Sequence, residues 1–413
     1  MTDPRDLDVV LLGATGFVGR LTAEHLAASA PEGTRIALAG RSQERLAALQ
    51  AELGDAAAHW PLIVVDTSDV DAVTELAGRT RVVATTVGPY LRYGMPVVEA
   101  CARAGTHYAD LTGEALFVRR TLEELDGTAR TSGARIVHSC GFDSIPSDLS
   151  VLLLAEAARA DGAGTLEETR LLVQSVSGGI SGGTIDSLRA ITEAVVADRS
   201  LVEALVDPYT MSPHRGAEPE VAQPSDGAPI RRNGAGEWVG PFAMATYNTR
   251  VVRLSNALSG WSYGRTFAYG EEMAFGRDAL APLRAAGVAV GLGAVAAGMA
   301  IPPTRALLDR VLPAPGEGPD ERTRVEGHFT TETRTRTTDG TRYSCIMTAQ
   351  GDPGYQATSV MLGQSALALA LDTDRLPGGG GVLTPATGVG TVLADRLRTE
   401  GFAIDVERLD PSG

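Results

Sequence analysis

At 413 residues the chain exceeds one compact core of ordinary size, so two domains of unequal size are expected. Its net charge of -15, with no basic cluster, excludes DNA and RNA as partners, because phosphate backbones need a concentrated patch of cations. All 36 basic residues are arginine, which excludes a Walker A loop, a Schiff-base lysine and the Tyr-x-x-x-Lys pair common in short-chain dehydrogenases.

From the N-terminus, Leu7 to Leu12 is a short apolar run suited to a buried parallel strand. Gly13, Ala14, Thr15, Gly16, Phe17, Val18 and Gly19 follow at once, and apolar residues then recur at helical spacing through Leu21 and Leu26. A glycine-rich turn at that junction offers free N–H groups and a helix dipole to a pyrophosphate. These seven residues are therefore expected to hold a dinucleotide. Their G-x-x-G-x-x-G spacing differs from G-x-G-x-x-G, so the signal lies in the context, after a strand and before a helix.

Residues 35–39 predict a second strand, ending at Gly40-Arg41-Ser42, where an NAD enzyme carries an acid for the ribose 2′-hydroxyl. A guanidinium beside a hydroxyl suits a 2′-phosphate instead, so Arg41 and Ser42, with Arg45 one helical turn on, predict NADP(H). Residues 61–66 predict a third strand whose terminal Asp66 approaches the adenine. A fourth, over 81–87, runs into Gly88-Pro89-Tyr90. Ligands gather at the carboxyl ends of strands in doubly wound sheets, so Val87, Gly88 and Pro89 are expected to border the ribose and nicotinamide. Tyr90 thereby becomes a candidate catalytic acid. A helix over 96–104, a strand around 107–110, a further helix and a sixth strand over 134–138 complete the alternation of a Rossmann unit.

Together with Tyr93-Gly94, His107-Tyr108-Ala109-Asp110-Leu111-Thr112-Gly113-Glu114, Cys140 to Asp148 and Ser177 to Thr184, these motifs give the chain a resemblance to the saccharopine dehydrogenase-like oxidoreductases. Within that family it is most similar to the branch of the mycobacterial trans-acting enoyl reductases. The resemblance implies an α/β fold: an N-terminal Rossmann doubly wound parallel sheet, a second α+β domain built on a mixed sheet, and a C-terminal segment returning to the first. The expected division is 1–160 for NADP binding with 355–413 packing back on it, and 161–354 for substrate or oligomerisation.

In the second half, a helix over 146–160 and a break at 161–164 lead to a strand over 168–176. The glycine-rich 177–184 then reads either as a junction facing the cofactor cleft or as a tight turn. Residues 208–240, rich in Pro, Gly and polar residues, read as a long mobile excursion, either a lid or unstructured. The uncharged run 285–301 predicts a buried helix or one lining a greasy surface, with peripheral membrane contact or a homodimer interface as alternatives. Residues 322–343 alternate Thr, Arg and Glu, as in an exposed strand pairing with 343–349 across the turn Asp339-Gly340, a hairpin with a polar outer face. An Ala/Leu helix over 356–371, a glycine-rich turn over 378–390 and a last helix over 392–397 follow.

The function expected is an NADPH-dependent reductase of a carbon–carbon double bond in an acyl or polyketide thioester, carried on a carrier protein or free as a small molecule. Alternatives are a saccharopine-type amino-acid imine reductase, for which Arg92 and Arg250 would have to meet substrate carboxylates, and a non-catalytic NADPH-binding protein associated with lipid. Tyr90 is the first candidate proton donor and Asp143 the second, ahead of Tyr108, His138 and Ser144; Asp148 reads as a helix cap. Cys101, Cys140 and Cys345 have the spacing of reduced thiols rather than of a disulfide frame or a zinc site, so a cytoplasmic protein without metal is expected. The first residues show no secretory signal, and lipid metabolism is the expected setting.

Overall fold

The computed structural model describes residues 5–178, 182–227, 229–300, 304 and 318–409. Strand β1 (Leu7–Leu12) is buried along its whole length, as its unbroken Leu/Val run requires of a strand covered on both faces. After it come β2 (Ile36–Gly40), β3 (Leu62–Val64), β4 (Thr80–Thr85), β5 (His107–Ala109) and β6 (Arg135–Val137), with helices between them. Beyond these lie β7 (Leu166–Ser177), β8 (Arg231–Arg232), β9 (Trp238–Gly240), β10 (Ala268–Gly276), β11 (His328–Thr337), β12 (Arg342–Gln350), β13 (Gly381–Leu383) and β14 (Ala403–Leu409).

The first sheet is parallel throughout and runs β3-β2-β1-β4-β5-β6-β13. Its order reverses between β1 and β4, the crevice where doubly wound sheets bind their ligands. The second sheet, β14-β12-β11-β7-β10-β9-β8, is mixed, with β7 and β10 parallel and the other pairs antiparallel. One apolar core joins them: Val9 and Leu11 of β1, Leu149 and Leu154 of the helix Ile145–Ala160, Leu171 of β7 and Phe329 of β11 belong to one cluster. The helix Thr358–Leu371 is buried on nearly every side and packs against β1, β4 and β5, which explains its lack of a polar face.

Four expectations give way to the fold. The hairpin expected over 322–349 forms, with β11 pairing β12 across the turn and Arg334 and Arg336 exposed, but its strand is not an exposed one: β11 lies inside the second sheet between β7 and β12, with Thr331, Thr333, Thr335 and Thr337 buried. Threonine fits there because its β-branch packs on a pleated surface and its hydroxyl can bond across, as Thr169 Oγ1 and Thr335 Oγ1 do at 2.6 Å. The excursion 208–240 is stitched down rather than loose. Arg253 donates to Pro208 O at 3.2 Å, Gln223 Oε1 at 3.1 Å and Tyr269 O at 2.9 Å, while Arg250 pairs with Asp226 at 2.7 Å. The glycine-rich turn 378–390 contains β13, and a Cβ on Gly380 would come within 2.7 Å of Ala129 O. Only glycine lets that backbone approach β6, where Gly381 N donates to Ala134 O at 2.8 Å. Finally, 403–409 does not return to the first sheet with the rest of the C-terminal segment; as β14 it forms an edge of the second.

The apolar run 285–301 falls in the helix Ala281–Ala300, with residue 301 outside the described residues. Ala281 and Ala285 are buried, while Leu283 and Val290 are exposed. Among the described residues no helix is long and apolar enough to cross a membrane.

The second sheet also holds a buried carboxyl. Glu271 of β10 accepts from Tyr269 Oη at 2.8 Å and from Asn248 Nδ2 at 3.0 Å, and burial raises its pKa to about 7. A carboxyl whose pKa rises on folding favours the folded state below its unfolded pKa, near 4.5, and that advantage disappears as pH climbs through about 7. Glu271→Gln is therefore expected to flatten the fall in stability between pH 5 and pH 8, by up to roughly 3 kcal/mol. Thermal unfolding of both proteins across that range checks it, and parallel curves would reject it.

Candidate functional site

The turn after β1 is shaped by what its glycines leave out. Gly13 has φ +86°, and a Cβ there would lie 2.8 Å from Thr86 Oγ1 and from Val87 Cγ2. A Cβ on Gly19 would lie 2.1 Å from the carbonyl oxygen of Gly13, so only hydrogen at that position allows the helix Phe17–Ser29 to seat on the turn. Gly16 caps that helix with no side-chain bond, and it is exposed. Among the described residues, the N–H groups of Phe17, Val18 and Gly19 have no backbone acceptor. This open, uncapped amine end, with no acid in the first turn, fits a diphosphate.

The other expected cofactor residues surround the same end of the sheet. Arg41 directly follows β2, is exposed, and makes no salt bridge among the described residues. Asp66 lies close enough to feel its charge, but accepts chiefly from Ser68, through the backbone N at 2.9 Å and Oγ at 2.7 Å; those bonds hold its pKa down. Ser42 caps the helix Gln43–Leu53 by accepting from Arg45 N at 3.3 Å, and Arg45 is exposed beside it. Ala14 is buried and Thr15 half-buried in the first turn. After β4, Thr86 Oγ1 donates to Gly13 O at 3.1 Å, tying the two loops of the crevice together. Val87 is half-buried, Gly88 exposed and Pro89 buried at the head of the next helix.

That helix begins at Tyr90 rather than at residue 96, and it changes the standing of the tyrosine. Tyr90 is buried, its hydroxyl donates to Thr85 O at 3.2 Å and accepts from Leu111 N at 3.1 Å, and burial pushes its pKa well above the usual value. Both hydrogen-bonding functions are spent on backbone. Tyr108 and His138 are buried too: both bond Asp110 Oδ2, at 3.0 Å and 2.8 Å, and His138 Nε2 meets Thr121 Oγ1 at 2.9 Å. Asp110 Oδ1 meanwhile accepts from Thr112 N and Ser139 N, holding the loops after β5 and β6. Ser144 Oγ is committed to Asn248 Oδ1 at 3.3 Å. Asp148 caps a helix other than its own, accepting from Ala386 N at 2.7 Å and Ser255 Oγ at 2.5 Å, and burial raises its pKa to about 6.

Asp143 differs from all of these. It lies in the loop after β6, keeps part of its surface accessible, and has no hydrogen-bond partner among the described residues. Dense protein around it raises its pKa to about 6, with burial as the sole cause. Three neighbours were not singled out in the sequence. Glu114 accepts from Tyr90 N at 2.9 Å, Leu91 N at 2.7 Å and Ser187 Oγ at 2.7 Å, joining the head of one helix to the second domain. Ser139, at φ +65°, and Tyr247 share a hydrogen bond of 2.5 Å, and the charges of Asp110, Glu114 and Asp143 all reach the Tyr247 hydroxyl. Glu114 stood inside a quoted motif, whereas nothing local marks Tyr247.

Residues 9–137 match the family described as the saccharopine dehydrogenase NADP binding domain. A Mycobacterium tuberculosis protein, provisionally named a trans-acting enoyl reductase, is 49% identical over 418 residues, covering 98% of this chain and 99% of its own. A trans-acting enoyl reductase of Mycobacterium ulcerans is 45% identical over 418 residues, with the same coverage of both chains. Apo saccharopine dehydrogenase of Saccharomyces cerevisiae superposes with a TM-score of 0.53 at 16% identity, over 97% of this chain and 99% of its own, which shows the shared fold.

Two substitutions test the cradle. Gly19→Ala forces the helix off its turn and is expected to weaken NADPH binding at least about tenfold, read by quenching of protein fluorescence; unchanged affinity would refute the close approach. Arg41→Asp removes a charge-assisted bond of roughly 1.5–3 kcal/mol and is expected to shift the NADPH/NADH affinity ratio toward NADH by about 10- to 100-fold. An unaltered ratio would remove Arg41 from cofactor selection.

Proposed function

Because the chain belongs to the saccharopine dehydrogenase-like family of NADP-dependent oxidoreductases that includes the mycobacterial trans-acting enoyl reductases, we propose that it reduces the carbon–carbon double bond of an acyl or polyketide thioester. The observation that favours this over an amino-acid imine lies in two arginines. An amino-acid-derived imine needs free guanidiniums for its carboxylates. Arg250 is buried against Asp226 at 2.7 Å and Leu205 O at 2.8 Å and is not available, while Arg92 already faces Glu193 at the surface. A thioester makes no such demand.

Bound NADPH would supply the hydride to the β carbon of the enoyl group. The chain must then stabilise the charge gathering on the thioester oxygen and deliver a proton to the α carbon. Asp143 suits the proton delivery, since a carboxyl with pKa near 6 and no other bond to satisfy holds a proton at mildly acidic pH and can release it. The Ser139–Tyr247 pair suits the first task, because burial keeps the Tyr247 phenol protonated and therefore a neutral donor. Glu114 and Asp110 contribute by fixing the loops that carry these groups.

Stopped-flow oxidation of NADPH against a panel of enoyl thioesters and imino acids tests the substrate class. Turnover with enoyl thioesters is the expected result, and turnover confined to imino acids would overturn the reading. Asp143→Asn is expected to lower kcat/KM for the thioester by roughly 100- to 10,000-fold with little change in NADPH affinity. In the parent protein kcat/KM is expected to fall as pH rises through about 6, because the acid form is the donor. A profile unchanged in the variant would assign the proton to another group.

A further inference from the structure

The cradle of amides at Phe17, Val18 and Gly19 contains no cation of its own. Arg20, the nearest one along the helix, is bound to Glu52. A basic side chain reaches the same turn from far along the sequence. Arg324 lies in the short helix Glu321–Glu326, which leads into β11, and its guanidinium carbon stands 5.3 Å from the centre of the Phe17 ring. Its backbone is fixed from both sides: its N–H donates to Asp320 O at 3.1 Å, and its carbonyl accepts from Asp352 N at 2.7 Å. The edge of Tyr355 packs on Phe17 as well, with ring centroids 4.8 Å apart.

Two features make this more than stacking. The Nε of Arg324 is buried and has no hydrogen-bond partner among the described residues. Among the described residues no carboxylate forms a salt bridge with its guanidinium either; Asp320 caps its own helix, and Glu326 is taken by Arg322. A buried guanidinium donor without an acceptor is costly, and an anion beside it would relieve that cost. The ring beneath it belongs to the first residue of the helix whose free amides would meet a diphosphate.

We propose that Arg324 binds the pyrophosphate of NADP(H), so that the segment leading into the second sheet closes the cofactor cradle opposite the glycine turn. The inference rests on dinucleotide binding at this turn and is independent of which substrate is reduced. A planar guanidinium spans two phosphate oxygens, and the Phe17 ring sets its plane. The role differs from that expected of Arg41, because the pyrophosphate is common to NADPH, NADH and ADP-ribose whereas the 2′-phosphate is not.

Affinities of the full chain for NADPH, NADH and ADP-ribose, measured by titration calorimetry, test this with Arg324→Ala, Arg324→Met and Arg324→Lys. The Met variant keeps an apolar stem on Phe17, which separates lost charge from lost packing. The expected result is a loss of tenfold or more for all three ligands in both the Ala and Met variants, partial recovery with Lys, and a shallower salt dependence of binding. Undiminished binding in the Met variant, or a loss confined to NADPH, would overturn the assignment of Arg324. Failure of the parent protein to bind any of the three ligands would instead overturn nucleotide binding at the turn itself.

Discussion

A helix can offer its amides to a diphosphate only if its first turn sits hard against the strand before it. In this protein that contact is between the α carbon of Gly19 and the carbonyl of Gly13, so close that a Cβ would stand 2.1 Å from the oxygen. The crevice follows from it. Gly13 can then accept from Thr86, the loops after β1 and β4 are joined where the strand order reverses, and the amine end of the helix stays exposed. Binding of NADP(H) is thus a property of backbone spacing first and of side chains second.

Around this crevice the protein uses buried carboxylates as fasteners for loops. Asp110 holds the loops after β5 and β6, Glu114 holds the head of the helix Tyr90–Ala104, and Asp148 holds the helix Pro385–Gly388. Two of them reach the second domain as well, Glu114 through Ser187 and Asp148 through Ser255. In a low-dielectric interior such bonds are strong when complete and costly when broken, so these loops are positioned before any ligand arrives. Asp143 stands out because, like Glu114 and Asp148, its pKa is raised by burial, yet it keeps part of its surface accessible and fastens nothing.

The same economy of partners distinguishes the basic residues. Arg250 and Arg253 are consumed in holding down 208–240, and Arg92 faces Glu193 at the surface. Arg41 and Arg324 form no such pairs among the described residues. A chain whose net charge is -15 has carboxylates to spare, so guanidiniums left without one beside a phosphate-shaped turn are informative.

The sequence alone identified β1, the glycine turn and the alternation that follows, because those features depend on neighbours within a few residues: a continuous apolar run, a strand-to-helix junction, a period of two giving way to 3.6. The position of Arg41 directly after β2 was legible for the same reason, being counted from the end of that strand. Other assignments needed the fold. Tyr90 was a plausible acid until burial placed its hydroxyl between Thr85 and Leu111, and β13 was hidden because glycines that look like a turn serve a close approach to β6. Threonines that alternate with charges read as surface, yet in β11 they form an interior face. Tyr247 against Ser139, and Arg324 over Phe17, are meetings of residues remote in sequence, and no local pattern encodes such a distance. Local propensity and spacing therefore determined the elements and the cofactor turn, whereas tertiary packing decided which polar groups were already satisfied and which were left free for chemistry.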